Sequence, residues 1–205
     1  MIWRGCTTYW PGSICPHYAP WLCSIIGVRT FEGQAAGLYF AAWKGYPLSW
    51  RTSARRYVPP HWPAIREWGS PLSDSARRAV DPANAILNYA YGVLEGQCRQ
   101  ALAAEGFDLG CGFLHADQQY RDSLVYDLMA LFRPAVDALV LGFLERTTFA
   151  YGDMVRASNG QCMLHPQLAC AVVAACRVEQ ERVSKGAGQL REMLVEGVVS
   201  TRPFL

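Results

Sequence analysis

A histidine and an aspartate twelve residues apart, His115 and Asp127, are the side chains of this sequence best placed to do chemistry together. His115 closes an apolar run, and a polar turn follows from Ala116 to Asp122. Asp127 then lies in a helix-like segment, beside a stripe made by Leu124, Leu128 and Leu131. An imidazole and a carboxylate can share a metal ion or a proton. A carboxylate beside a core face needs such a partner, because burying an unpaired charge is costly or forces the group neutral. On one straight helix the two residues would stand roughly 18 Å apart, at about 1.5 Å per residue. The polar turn must therefore fold the chain back for them to meet. Spacing alone leaves a second reading open: a satisfied core histidine and an aspartate on a helix surface.

The elements that would position these groups read as helices, which predicts a mainly α protein built as a single helical domain with a central buried helix. The central helix is expected from Ala83 to about Glu105. Asp81 caps it, Pro82 takes its first position, and Gly106 ends it. Its residues Ile86, Leu87, Tyr89, Ala90, Tyr91, Val93, Leu94 and Leu102 are apolar on most sides, as burial requires. Asn84 and Asn88 are expected to bond to neighbouring backbone. A first helix over residues 25 to 45 carries Phe31, Ala35, Leu38 and Ala42 on one stripe, with Glu32 beside it. Taken by itself, Glu32 is an exposed acid of a first helical turn. Glu95, in the central helix, is a competing site glutamate. Arg133-Pro134 is expected to bend or restart the helix that bears Asp127, and Val136 to Leu144 continue its apolar face. Residues 151 to 164 read as a hairpin with Asn159-Gly160 at its tip. A helix from Pro166 to Ser184 should break at Gly186 and Gly188, before a last one from Gln189 to Val198.

Composition supports a packed domain. Of 205 residues, 51% are hydrophobic and 12% aromatic, which excludes wholesale disorder. No apolar run is long enough for a membrane span. The N-terminus does not read as a signal peptide. Residues 1 to 24 form an irregular lead-in to a helical domain over residues 25 to 205. The lead-in holds Cys6, Cys15, His17 and Cys23, whose spacing matches no paired zinc pattern. Cys98, Cys111, Cys170 and Cys176 read as buried free thiols of a cytoplasmic protein. Net charge is only +2 but uneven. Residues 44 to 80 hold Lys44, Arg51, Arg55, Arg56, Arg66, Arg77 and Arg78 against Glu67 and Asp74. This basic connecting segment, residues 46 to 80, sets arginines beside aromatics at Trp50-Arg51, Arg55-Arg56-Tyr57 and Arg66-Glu67-Trp68. That pattern suits phosphate contact with stacking on unpaired bases, and equally a solvated loop packed by its tryptophans.

Three stretches in order are similar to motifs of one family. They are Thr30 to Phe40 (TFEGQAAGLYF), Asp81 to Tyr91 (DPANAILNYAY), and Gly112 to His115 followed by Arg121 to Asp137 (RDSLVYDLMALFRPAVD). Together they resemble the CRISPR-associated spacer-acquisition integrase, the endonuclease of the two near-universal CRISPR adaptation proteins. The resemblance covers roughly residues 21 to 205. It implies the family's C-terminal helical domain, without the β-rich N-terminal domain through which the family dimerises.

The resemblance implies Mg²⁺ or Mn²⁺, held by Glu32, by His115 and by an acidic residue three positions after Asp127. Here that last position is Ala130, which cannot ligate. Asp127 matches a second acidic position of the family, one helical turn away, and would substitute for or support the missing ligand. The implied reaction is transesterification: a 3′-hydroxyl of a short duplex attacks a phosphodiester at the edge of a CRISPR repeat. Arg51, Arg55, Arg56, Arg66 and Arg121 would contact DNA phosphates. The implied partners are double-stranded DNA, further copies of the chain and the small ferredoxin-like adaptation protein. Two alternatives stand beside this one. The first is a truncated or non-catalytic DNA-binding relic of the same family, which Ala130 favours. The second is an unrelated helical phosphohydrolase.

Overall fold

Asp81 begins the helix on which the fold is assembled. Its backbone is extended, at φ −125° and ψ 160°, and Pro82 follows with φ already suited to a helix. The Asp81 carboxylate accepts the Asn84 backbone N–H at 3.0 Å and the Asn84 side-chain amide at 2.6 Å. Asn84 thus bonds to the capping side chain and not to backbone. The computed structural model describes residues 25–66, 79–113 and 122–200. His115, Arg121, Arg77, Arg78 and the cysteines and histidine of the lead-in lie outside them.

Five helices occur among the described residues: α1 (Ile25–Trp43), α2 (Pro82–Ala104), α3 (Ser123–Arg146), α4 (Pro166–Cys176) and α5 (Gln180–Ser200). Four short strands join them: β1 (Ser49–Trp50), β2 (Thr148–Phe149), β3 (Met154–Arg156) and β4 (Cys162–Leu164). The fold is mainly α, as expected. β1 pairs with β2 in parallel, and β3 with β4 antiparallel. Contacts divide the chain into two units, Met1–Tyr39 and Phe40–Leu205.

In the second unit α2 is central and packs against α3, α4, α5 and β4. Ile86, Leu87, Leu94, Cys98 and Leu102 are almost fully buried along it. Gly106 ends the helix at φ +81°, a left-handed conformation that favours glycine. Burial pushes the thiols of Cys98 and Cys162 up to about 12 and that of Cys176 to about 11. Cys98 and Cys176 are buried as expected. Cys111 and Cys170 are exposed, which corrects the expectation for those two.

Three further expectations are corrected. α3 runs unbroken through Pro134. A proline removes one N–H and crowds the carbonyl four residues back, but the buried Phe132 and Val136 hold the helix on either side. α5 likewise runs through Gly186 and Gly188, and the break falls earlier, after Cys176. A Cβ at Gly186 would stand 2.9 Å from the Phe132 ring, so that glycine serves close helix packing and not termination. Finally, Leu124 and Leu128 are buried but Leu131 is 70% exposed. The buried face of α3 continues through Met129, Phe132, Val136 and Val140.

The described part of the first unit is the start of α1. Its apolar residues Phe31 and Leu38, two members of the expected stripe, are both exposed.

Candidate active site

The chain returns to Asp127 before it reaches His115. Phe113, two residues ahead of the histidine, donates its backbone N–H to Asp127 Oδ2. One turn earlier on α3, Leu124 N–H bonds to the Leu109 carbonyl at 3.0 Å. Gly112 makes this approach possible. A Cβ there would fall 2.6 Å from Ser123 Cβ, 2.9 Å from its carbonyl carbon and 3.1 Å from Asp127 Oδ2. The glycine ahead of the histidine is thus required by packing against the first turn of α3.

The other end of this region is held by α2. Arg99 pairs with Glu95, one turn back, at 2.8 Å, and also with Asp122, the residue before α3. Glu95 is thereby accounted for as an ion-pair partner. Both pairs are partly exposed, so each adds little to stability by itself.

Two of the recurring motifs meet in a structural contact. Tyr91 donates its hydroxyl to Asp137 Oδ1 at 2.5 Å, joining α2 to α3. The Arg133 guanidinium lies 5.8 Å from the centre of the Tyr91 ring. Asp137 is almost fully buried and draws its partner from this hydroxyl.

Glu32 is exposed on α1, in the first unit, and Asp127 is half-buried on α3, in the second. His115 lies outside the described residues. Ala130 follows Asp127 by one turn and presents only a methyl group. Among the described residues, no three His, Cys, Asp or Glu side chains cluster as metal ligands.

The basic segment is ordered by aromatic packing. Trp50 stacks on Trp62, with ring centres 6.1 Å apart, and meets Phe149 at 5.6 Å. Arg51 N–H reaches the Phe149 carbonyl at 2.9 Å. The segment is therefore bound into the second unit, next to β2. Its charges point outward: Arg51, Arg55, Arg56 and Arg66 are all exposed. None of the four has a carboxylate partner among the described residues. Arg56 lies 4.6 Å over the Tyr57 ring, and Tyr57 meets Tyr151 at 5.6 Å. A cleft of about 570 Å³ is lined by Leu48, Trp50, Arg55, Val58, Pro63 and Thr148. Tyr151, which meets Tyr57, opens the hairpin region, and no local pattern in the sequence joins it to the basic segment.

Comparison with known proteins adds an independent line. The family described as CRISPR associated protein Cas1 matches residues 19–177. A CRISPR-associated endonuclease Cas1 of Methanospirillum hungatei is 34% identical over 142 residues, which is 69% of this chain and 38% of the relative. One of Rhodospirillum rubrum is 34% identical over 158 residues, 76% of this chain and 42% of the relative. Among solved structures, a casposase bound to integration product superposes with a TM-score of 0.60 at 27% identity, covering 78% of this chain and 42% of that one. The chain thus spans about two fifths of the length of these relatives. With a match over most of its residues, in the order its motifs foretell, the chain belongs to the CRISPR-associated Cas1 family.

Proposed function

We propose that this chain is the helical, DNA-joining portion of a metal-dependent endonuclease and integrase that inserts short foreign duplexes into CRISPR arrays. The observation that carries the reading is the tie between Asp127 and Phe113. It ties Phe113, two residues before His115 in the sequence, to the turn of α3 that bears Asp127. Family membership and the integration product bound to the similar casposase support it.

In this reading Glu32, His115 and Asp127 hold Mg²⁺ or Mn²⁺. Two carboxylates and an imidazole suit such a cation in donor type, and Ala130 leaves the set one oxygen short. A bound cation supplies charge stabilisation to the phosphoryl oxygens. The reaction is an exchange of phosphodiester bonds. The 3′-oxygen of the incoming duplex bonds to phosphorus, the bond to the target's own 3′-oxygen breaks, and the hydroxyl proton passes to that leaving oxygen. Arg51, Arg55, Arg56, Arg66 and Arg121 hold the DNA backbone without reading sequence. Further copies of the chain and the small ferredoxin-like adaptation protein are its expected partners, in the cytoplasm. Among the described residues no helix is long and apolar enough to cross a membrane.

The test is strand transfer of a labelled short duplex into a repeat-bearing plasmid with Mn²⁺. Joined product supports the reading. A second reading, a DNA-binding relic without catalysis, is favoured by Ala130; it predicts DNA binding with no joined product.

A further inference from the structure

Asp122 stands at the N-cap of α3, where an aspartate ordinarily accepts a backbone N–H of the first turn. Here its side chain makes no capping bond. Its Oδ2 pairs instead with Nη1 of Arg99, on α2. Nη2 of the same guanidinium meets Glu95 Oε1, one turn back, at 2.8 Å. Glu95 steadies one arm of the fork, and the other arm crosses from α2 to α3. A local helix cap is exchanged for a tie between two helices.

The first turn of α3 is held from two further directions. Leu124 N–H, one of the donors a capping side chain would otherwise take, bonds to the Leu109 carbonyl at 3.0 Å. Asp127 Oδ2 accepts the Phe113 N–H. Val125 N–H bonds to the Asp122 carbonyl at 3.0 Å, so the residue that Arg99 grips is itself part of this turn. On the other side, Leu94, Cys98 and Leu102 are almost fully buried and fix the stretch of α2 that carries Arg99. The Arg99 side chain is 44% exposed, so its pairs add little to stability. Their effect is geometric: they set where α3 begins against α2, and Asp127 lies five residues further along α3.

We propose that Arg99 is a positioning residue for Asp127, acting through Asp122 to fix the first turn of α3. The inference rests on the reading above that Asp127 serves strand transfer. Without Arg99, the Asp122 carboxylate turns back to cap its own helix, and Leu124 N–H is drawn off the Leu109 carbonyl. Asp127 then shifts with the turn. A displacement of about 1 Å at a reacting centre can cost on the order of a hundredfold in rate.

The experiment follows backbone amide exchange, thermal unfolding, duplex affinity and strand transfer for the full chain and its variants. In metal-free buffer, Arg99→Gln should speed exchange of the Leu124 and Phe113 amides several-fold, with the unfolding midpoint and duplex affinity close to native. Its strand-transfer rate at saturating duplex and Mn²⁺ should fall roughly tenfold. Arg99→Lys keeps a cation for Asp122 and should recover most of both losses. Asp122→Ala should lose as much rate as Arg99→Gln, and the double variant no more than either alone. Glu95→Gln should lose far less. Unchanged exchange in Arg99→Gln overturns the hold on α3, and faster exchange with an unchanged rate overturns its bearing on Asp127. A marked drop in the unfolding midpoint makes the pairs a stability element and overturns the positional role. A fall in duplex affinity as large as the fall in rate makes Arg99 a DNA contact instead. Losses that add in the double variant, or a Glu95→Gln loss equal to that of Asp122→Ala, overturn the route through Asp122. If the native chain joins no DNA, the functional reading has failed, and the exchange result still decides the hold.

Discussion

Phe113 donates its backbone N–H to Asp127 Oδ2, so the carboxylate proposed as a metal ligand also holds the chain two residues ahead of His115 in the sequence. Asp127 has a positional duty that does not depend on its charge. Substitutions can separate that duty from ligation.

Asp127→Asn keeps an acceptor oxygen for Phe113 and removes the charge. It should fold and bind DNA as the native chain does, yet lose Mn²⁺-dependent strand transfer. Asp127→Ala should lose the activity and also about 1 kcal/mol of stability, the ordinary net value of one such hydrogen bond. Urea unfolding of both variants beside the native chain checks the split. An Asn variant that keeps full activity would remove the carboxylate from the chemistry.

Gly112 and Gly186 are places where a methyl group has no room. Gly112→Ala would press on Ser123 from 2.6 Å, and Gly186→Ala on the Phe132 ring from 2.9 Å. Each should cost about 1–3 kcal/mol, the usual penalty of overpacking. The ring can yield and the Ser123 backbone cannot, so the first substitution should cost more. Thermal unfolding midpoints decide the order; an unchanged midpoint for Gly112→Ala would mean that the loop is free to withdraw from α3.

Asp81 gives a pH signature. Burial raises its carboxyl above the ordinary value of 3.8, and its bonds to Asn84 and Ala83 only partly oppose this. The folded state then binds the proton more tightly than the unfolded one. The group's contribution to stability is present below the ordinary carboxylate range and lost as pH rises through the raised folded value. Asp81→Asn keeps a capping acceptor and does not titrate. Its stability relative to the native chain should therefore improve as pH rises from about 3 toward 7. If the native chain gained on the variant over that range, the hydrogen bonds would outweigh burial.

The basic segment should bind DNA through phosphates. Reversing Arg55 and Arg56 to glutamate should weaken binding to every duplex alike, and native affinity should fall steeply with salt. Competition among unrelated duplexes in a gel-shift titration tests this. Discrimination lost for one sequence only would assign these arginines to base reading instead.

Much of this fold is legible locally. Asp81-Pro82 and Gly106 bracket α2 because capping and left-handed glycine are short-range effects. Asn159-Gly160 marks the hairpin tip for the same reason, with Gly160 at φ +80°. Pro134 and Gly186 misled because their meaning is set by distant neighbours. The buried side chains around Pro134 hold α3 together, and Gly186 makes room for Phe132, which is more than fifty residues away in the sequence. Leu131 and Leu38 fit helical stripes yet stay exposed, since periodicity gives a face without saying what covers it. At the site, spacing between His115 and Asp127 left two readings open, and the family motifs supplied the choice. The bond from Phe113, the pairing of Arg99 with Asp122, and the meeting of Tyr57 with Tyr151 are tertiary contacts with no local signature.

The central claim is that a divalent cation held by Glu32, His115 and Asp127 makes this chain join DNA. Strand transfer of a labelled short duplex into a repeat-bearing plasmid, followed across a Mn²⁺ titration for the native chain and for Ala130→Glu, tests it most directly. The native chain should form joined product only at high Mn²⁺. The restored carboxylate, one turn beyond Asp127 on the same face, should lower the half-saturating concentration by roughly tenfold, as one more hard oxygen ligand would. Product formed equally well in a chelator, or no product from either chain at any Mn²⁺ concentration, would contradict the account.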